Sequence, residues 1–312
     1  MSQPERTLLV YRPGALGDTL VSLPALAAAQ ARFAATKTIF AASTVAAPLL
    51  TENQIADVVL LADDMRLLHL LSGNVEALTT ALGPVDMAVL WGGETLKVAA
   101  AALRERGLEV IHAPSRPPDG SDLHISDYLV RTIDEEALGA PFLERLHPPS
   151  ADESWLDEHF GDIVSRPTFT LHPGSGSSRK NWSPESFASV ANLARKRMGV
   201  QCAFVSGPAD AGILEQILPA LDEPPAVIAR DWSLGQVAAL LHRSSMYLGN
   251  DSGISHLAAA LGVPGIALFG PTRPEVWAPR GDWIRAVGRP SMRQHQPEVV
   301  FEALRAVALR SA

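Results

Sequence analysis

The chain has 312 residues, a formal net charge of -8 from 34 acidic and 26 basic side chains, and 47% hydrophobic against 19% charged residues. At about 150 residues per domain the length predicts two domains, and the composition excludes a disordered chain. The negative balance, without clusters of Lys and Arg, excludes broad nucleic-acid binding and gives no general attraction to an anionic membrane surface.

A single cysteine, Cys202 inside the run Val200 to Val205, excludes a disulfide framework and a thiolate metal site. No apolar run reaches the roughly 18 residues of a membrane helix. The longest, Leu257 to Gly270, is broken by Gly262, Pro264 and Gly265. The opening MSQPERTLLVY lacks the apolar centre and cleavage site of a secretory signal, so a cytoplasmic location is expected.

In chain order, β-like runs at Thr7–Tyr11, Thr38–Ala41, Val58–Leu61, Val85–Leu90 and Leu108–Ile111 alternate with helical stretches at Asp18–Arg32, Asn74–Leu82 and Glu94–Arg106. That alternation predicts a parallel α/β sheet. The first run leads into RPGALGDTLVSLP, residues 12 to 24, where Gly14 and Gly17 bracket a turn that is neither the dinucleotide fingerprint nor a Walker loop. Asp18 there either caps the helix that follows, the commoner job for such a residue, or faces a ligand as a base.

The proline-rich His112–His124 and, after a helix at Ile125–Leu138, the stretch Gly139–Glu153 read as a linker. The first domain is therefore expected over residues 1–150.

A second series follows, expected as a domain over residues 151–296. Strands are predicted at Thr168–Leu171, Val200–Ser206, Ala226–Ala229, Met246–Gly249 and Gly265–Phe269, with helices at Pro184–Met198, Ala209–Leu218, Leu234–Arg243 and Ile254–Leu261. The remaining segment, 297–312, carries a helix at Pro297–Ala308 that is expected to pack back on the N-terminal domain. Open parallel sheets bind ligands at the carboxyl ends of their strands, so a cleft between two facing domains is the expected site.

Three strand exits in the second half concentrate polar groups. LHPGSGSSRKNWSPE, residues 171 to 185, combines Gly174 and Gly176 with the hydroxyls of Ser175, Ser177, Ser178 and Ser183 and the charges of Arg179 and Lys180. Those are the parts of a phosphate site, although an exposed glycine-serine loop entering a helix at Ser183-Pro184 has the same composition. LGNDSGISHL, residues 248 to 257, places Asn250, Asp251 and Ser252 at a helix start, where backbone donors meet an anion and Asp251 either accepts from sugar hydroxyls or merely caps. His256, one turn on, reads by itself as a structural histidine. After the next strand Thr272 is within reach of a phosphate or belongs to a rigid turn.

The histidines show no metal-ligand pairing with carboxylates, no D-x-D triplet ends a strand, and no G-x-S-x-G elbow occurs. No metal or other cofactor is expected.

Together RPGALGDTLVSLPAL, LHPGSGSSRKNWSPESFASVANLA and GNDSGISHLAAALGVPGIALFGPTRPEVWAP resemble glycosyltransferase family nine, whose best-known members are ADP-heptose lipopolysaccharide heptosyltransferases. The resemblance covers nearly the whole chain and implies an α/β GT-B fold of two Rossmann-like domains facing a cleft, an inverting reaction and no required metal. It also implies that Asp18 is the general base, on an acceptor-side loop with Gly14 and Gly17. Lys180 would contact the donor's diphosphate, and Asp251, Ser252, Gly253 and His256 would hold sugar and diphosphate. Ser252 stands where the family has threonine, which keeps the hydroxyl.

An inverting transfer needs one base and a stabilised leaving group, which these loops supply. The expected partners are a nucleotide-diphosphate sugar, ADP-heptose above all, and a glycan or glycolipid acceptor, with peripheral membrane association in surface-glycan assembly. Two rivals use the same residues: a nucleotide-sugar epimerase or hydrolase that needs no acceptor, and a non-catalytic nucleotide-sugar binding protein.

Overall fold

The structure, a computed structural model, describes residues 5–137, 145–207 and 210–311. The expected linker residues 139–144, the end of the helix expected to reach Leu138 and the start of the one expected from Ala209 lie outside the described residues. The chain divides into two compact units, Met1–Glu144 and Arg145–Ala312.

The first unit runs β1 (Thr7–Tyr11), α1 (Leu16–Phe33), β2 (Lys37–Ala42), α2 (Ala47–Glu52), β3 (Val58–Leu61), α3 (Leu67–Leu71), α4 (Val75–Leu82), β4 (Met87–Trp91), α5 (Thr95–Glu105), β5 (Glu109–Ala113) and α6 (Ile125–Ile133). Its five strands are all parallel in the order β3-β2-β1-β4-β5. The central strands read as unbroken apolar runs because helices cover both faces of a parallel sheet, and Leu8, Leu9, Val10, Ala88, Val89 and Leu90 are all fully buried. On one face Leu9, Ile39 and Leu90 pack against Leu70, Leu78, Leu96 and Leu103 from α3, α4 and α5.

The second unit runs α7 (Ser150–Val164), β6 (Thr168–His172), α8 (Pro184–Met198), β7 (Gln201–Ser206), α9 (Ala211–Ile217), β8 (Val227–Arg230), α10 (Leu234–His242), β9 (Met246–Asn250), α11 (Gly253–Ala260), β10 (Gly265–Phe269), α12 (Pro274–Trp277), β11 (Ile284–Gly288) and α13 (Pro297–Ser311). Its six strands are parallel in the order β11-β10-β9-β6-β7-β8. α13 buries Val300, Phe301 and Leu304 in the same core as Phe169, Phe187 and Phe204.

Both orders are the doubly wound arrangement in which the chain fills one half of the sheet, returns to the middle and fills the other. The switch point falls between β1 and β4 in the first unit and between β6 and β9 in the second. A ligand of such a sheet sits beyond the carboxyl ends of those strands, and the singled-out loops leave β1, β6 and β9.

Several expectations need correction. Residues 150–153, read as linker, begin α7, a helix missed because only Leu156 and Val164 are buried among its described side chains and its apolar stripe is correspondingly thin. His112–His124 is not a linker: His112 and Ala113 finish β5 and His124 caps α6, all within the first unit. The edge strand β11 went unread because its half-buried sequence, IRAVG, has no sustained apolar run.

Candidate functional site

In the first unit the backbone leaves β1 through Arg12, Pro13, Gly14 and Ala15 before α1 begins at Leu16. The N-cap is Ala15, not Asp18. The helix starts earlier than the glycine pattern suggested, placing Asp18 three residues inside it, where its Oδ2 reaches back to accept from the Ala15 N–H at 3.1 Å. That bond satisfies one of the donors a helix start leaves open. The other oxygen, Oδ1, accepts from Arg12 Nη2 at 3.0 Å.

Gly14 has φ +152°, and a Cβ there would stand 2.8 Å from Asp18 Oδ2, so both backbone and space reserve the position for glycine. Gly17 lies in the first turn of α1.

Arg12, the partner of Asp18, is a residue that pattern reading does not single out. Its side chain is 3% exposed whereas that of Asp18 is 19% exposed. Burial pulls the guanidinium below its ordinary value, the Asp18 charge and hydrogen bond oppose this, and the positive charge of Arg116 adds to the lowering. The burial of Arg12 is not legible locally, since Arg230 likewise ends an apolar strand and is exposed. Other cations of this unit are engaged elsewhere, Arg66 with Asp64 at 2.6 Å, Lys97 with Glu94 at 2.6 Å and Arg104 with the Val110 carbonyl at 2.9 Å.

In the second unit the structure brings Lys180, Asp251 and Thr272 to one point. Asp251 Oδ2 accepts from Lys180 Nζ at 2.7 Å and from Thr272 Oγ1 at 2.5 Å, joining the exits of β6, β9 and β10. Lys180 sits in a single 3-10 turn, Ser178–Lys180, which ends before Trp182 anchors the loop by burying its indole and donating Nε1–H to the His295 carbonyl at 3.2 Å. His295 in turn donates Nε2–H to the Phe269 carbonyl at 2.9 Å, and burial pushes its pKa down.

Asn250, fully buried, ties the exits of β6 and β9 together: Nδ2 donates to the Pro173 carbonyl at 2.7 Å and Oδ1 accepts from the Trp182 N–H at 3.2 Å.

The cap of α11 is Ser252 rather than Asp251. Its Oγ accepts from the Ser255 N–H at 3.4 Å, leaving the first-turn N–H groups of Gly253 and Ile254 without intrahelical acceptors, as at any helix start. Beneath the turn Ser255 donates to the Asn250 carbonyl at 2.6 Å and lies 3.0 Å from the Tyr247 hydroxyl, whose pKa burial raises well above the usual phenol range. A Cβ on Gly249 would lie 2.0 Å from that hydroxyl, so glycine is required there as well. His256 is buried on the second turn of α11.

The glycine-serine loop divides differently than its composition suggests. Ser175 Oγ is taken up within the loop, 2.5 Å from Asn181 Oδ1 and 2.7 Å from the Ser177 carbonyl, and it accepts from the Ser177 N–H at 3.2 Å. Gly176 is exposed, and a Cβ on it would meet nothing. Gly174 is the constrained one, because a Cβ there would lie 2.0 Å from the carboxyl carbon of Asp210.

Asp210, absent from the residues singled out in the sequence, lies 3.4 Å from His172 Nε2, and His172 Nδ1 lies 3.2 Å from Ser252 Oγ. Burial pushes the Asp210 carboxyl up, but the His172 hydrogen bond and charge, with the N–H groups of Gly207 and Ser175, outweigh it and hold the group below the ordinary carboxylate value. No local motif announces Asp210; only folding brings it to the end of β6.

Among the described residues, no group of three or more His, Cys, Asp or Glu is placed to hold a metal ion, and no helix is long and apolar enough to cross a membrane.

With this geometry in view, comparison with known proteins is specific. Residues 136–305 match the model of glycosyltransferase family 9 (heptosyltransferase). The lipopolysaccharide core heptosyltransferase OpsX of Haemophilus influenzae is 32% identical over 149 residues, which cover 44% of this chain and 43% of that protein. The match therefore spans less than half the length of that relative.

Among solved structures, a glycosyl transferase family 9 protein of Veillonella parvula superposes with a TM-score of 0.80 at 18% identity, covering 99% of each chain. The ADP-heptose lipopolysaccharide heptosyltransferase II of Escherichia coli gives 0.78 at 20% identity, covering 98% of this chain and 99% of that one. At such identities the likeness is one of fold, the α/β GT-B architecture of two parallel-sheet domains. The family model itself spans more than half of the sequence, and the chain belongs to glycosyltransferase family 9.

Proposed function

We propose that this protein is an inverting glycosyltransferase that moves a sugar, heptose, from a nucleotide-diphosphate donor, ADP-heptose, to a sugar hydroxyl during assembly of the lipopolysaccharide core. The observation that carries the reading is the placement of the loops after β1, β6 and β9 at the switch points of their own sheets, where doubly wound sheets take ligands. The matched relatives are lipopolysaccharide heptosyltransferases, which supports the choice of sugar.

In this reading Asp18 removes the proton of the acceptor hydroxyl as that oxygen attacks the anomeric carbon. One bond forms to the acceptor oxygen while the bond to the diphosphate oxygen breaks on the opposite face, so a single displacement inverts the centre. The developing charge on the departing diphosphate is met by Lys180, the Ser252 hydroxyl and the first-turn N–H groups of α11, without a metal ion. Thr272 and Asp251 hold Lys180 in place, and Asp251 together with His256 contacts the sugar. The first unit then serves the acceptor and the second the donor. The protein acts on the cytoplasmic side, in peripheral contact with the membrane that carries its glycolipid acceptor.

The test is heptosyl transfer from ADP-heptose to a core acceptor lacking that heptose, with and without a chelator. Transfer that survives chelation and is lost in Asp18→Asn is the expected result. Release or isomerisation of the sugar without acceptor, or no loss on changing Asp18, would overturn the assignment.

A further inference from the structure

His172 ends β6 at the centre of the donor loops, is almost completely buried, and is used by neither the base nor the lysine described above. It stands between a carboxylate and a hydroxyl: Asp210 Oδ2 at 3.4 Å from Nε2 and Ser252 Oγ at 3.2 Å from Nδ1. The array is built in. Gly174 leaves the space that the Asp210 carboxyl fills, and the N–H groups of Gly207 and Ser175 bond the same carboxylate.

Proton counting shows what the array controls. A serine oxygen has two acceptor positions and one proton to donate. One position on Ser252 is filled by the Ser255 N–H. If His172 carries a single proton, held on Nε2 toward Asp210, then Nδ1 is an acceptor and draws the Ser252 proton inward. If the ring carries both protons, Nδ1–H fills the second acceptor position and the Ser252 proton must point elsewhere. Within the protein the alternative acceptor is the Tyr247 oxygen. A phosphate oxygen competes well against a neutral phenol, because hydrogen bonds to ionised acceptors are roughly twice as strong.

We propose that His172, held by Asp210, is a positioning residue for the donor's diphosphate: in its doubly protonated form it turns the Ser252 hydroxyl outward, onto the anion at the start of α11. This deepens the donor-site reading above and rests on it. Asp210 supplies the acceptor for His172 Nε2–H, and a diphosphate at the start of α11 supplies one for the Ser252 hydroxyl. Besides Asp210, the ionisable neighbours are Tyr247 of β9, whose hydroxyl burial keeps protonated, and the groups that flank Ser252, namely the Lys180–Asp251 pair and His256 of α11.

Calorimetric titration with ADP and with inorganic pyrophosphate between about pH 6 and pH 8.5 tests this in the whole protein. The phosphates titrate in the same range, but identically for every variant, so the differences between variants carry the information. Wild type is expected to bind about tenfold more tightly than Ser252→Ala at the acidic end, an advantage that shrinks as the solution becomes alkaline. Asp210→Asn should lose the advantage at neutral pH and recover it at the acidic end. His172→Asn, whose amide offers a donor to Ser252 at any pH, should hold a constant advantage over Ser252→Ala.

Parallel curves for wild type and Ser252→Ala, or Asp210→Asn indistinguishable from wild type throughout, would overturn the proposal while leaving the donor site standing. Failure of wild type to bind either probe would remove the donor site as well. Should the variants not fold, nitrogen-15 NMR of the wild-type protein with ADP decides: a proton on His172 Nδ1 supports the mechanism, and a bare Nδ1 ends it.

Discussion

Each unit pairs one aspartate with one cation at its sheet's switch point, and the two pairs are built in opposite senses. In the first, Arg12 is 3% exposed and Asp18 19% exposed at 3.0 Å, so the cation is the hidden partner and the acid is presented. In the second, Asp251 is 9% exposed and Lys180 29% exposed at 2.7 Å, so the acid is hidden and the cation presented. The same bond thus delivers a carboxylate in one place and an ammonium in the other. That is the division of labour a base and an anion anchor require, and which partner is buried decides it.

Reversing the presented groups is the direct way to break this comparison. Asp18→Asn keeps the shape and the Arg12 contact but removes the proposed base, and should lower kcat about a hundred- to ten-thousand-fold while donor affinity in calorimetry stays within about twofold. Lys180→Ala should act on affinity instead, weakening ADP binding about ten- to a hundredfold through loss of a charge-assisted bond. Comparable losses of affinity from both changes would mean that the two pairs do the same job.

Smaller effects sharpen the contrast at the glycines. Gly174→Ala, whose Cβ would meet the Asp210 carboxyl, should cost about 2 kcal/mol or more in urea unfolding, and Gly14→Ala about 1–3 kcal/mol for its left-handed φ and its closeness to Asp18. Gly176→Ala should fall within about 0.5 kcal/mol of wild type, since nothing lies near its Cβ.

The smallest effect is a pH dependence. The folded-state pKa of Asp210 is lowered, so its contribution to stability is present above the unfolded carboxylate value of about 4 and is lost as pH falls through the lower folded value. The destabilisation caused by Asp210→Asn, measured by urea unfolding, should therefore shrink on going from neutral pH into that acidic range.

How much of this was legible in the sequence follows from how local each determinant is. Thr7–Tyr11 and Gly265–Phe269 are fully buried apolar runs with no competing pattern and are readable to the residue, as is the part-exposed edge run Val58–Leu61. α7 was not, because a helix that buries little leaves little periodicity. Lys180, Asp251 and Thr272 could be listed as polar groups at strand exits, but that one carboxylate oxygen unites them depends on three loops meeting. Asp18 was legible as an acid in a turn, whereas its position inside the helix depended on where the backbone began to coil. His172 stands within a motif without a signal of its own, and Asp210 has no local signature, since their relation exists only once β6 and the chain before α9 lie side by side.

Asn250 carries one more consequence. Because its single buried amide grips the loop after β6 at both Pro173 and Trp182 while its own backbone leads into α11, neither rim of the proposed donor site can shift without dragging the other. A guest must therefore match the spacing of the two rims as it stands. Discrimination among nucleotides would then be settled by shape at first encounter rather than by closure afterwards, and shortening that amide would loosen selectivity before it weakened binding.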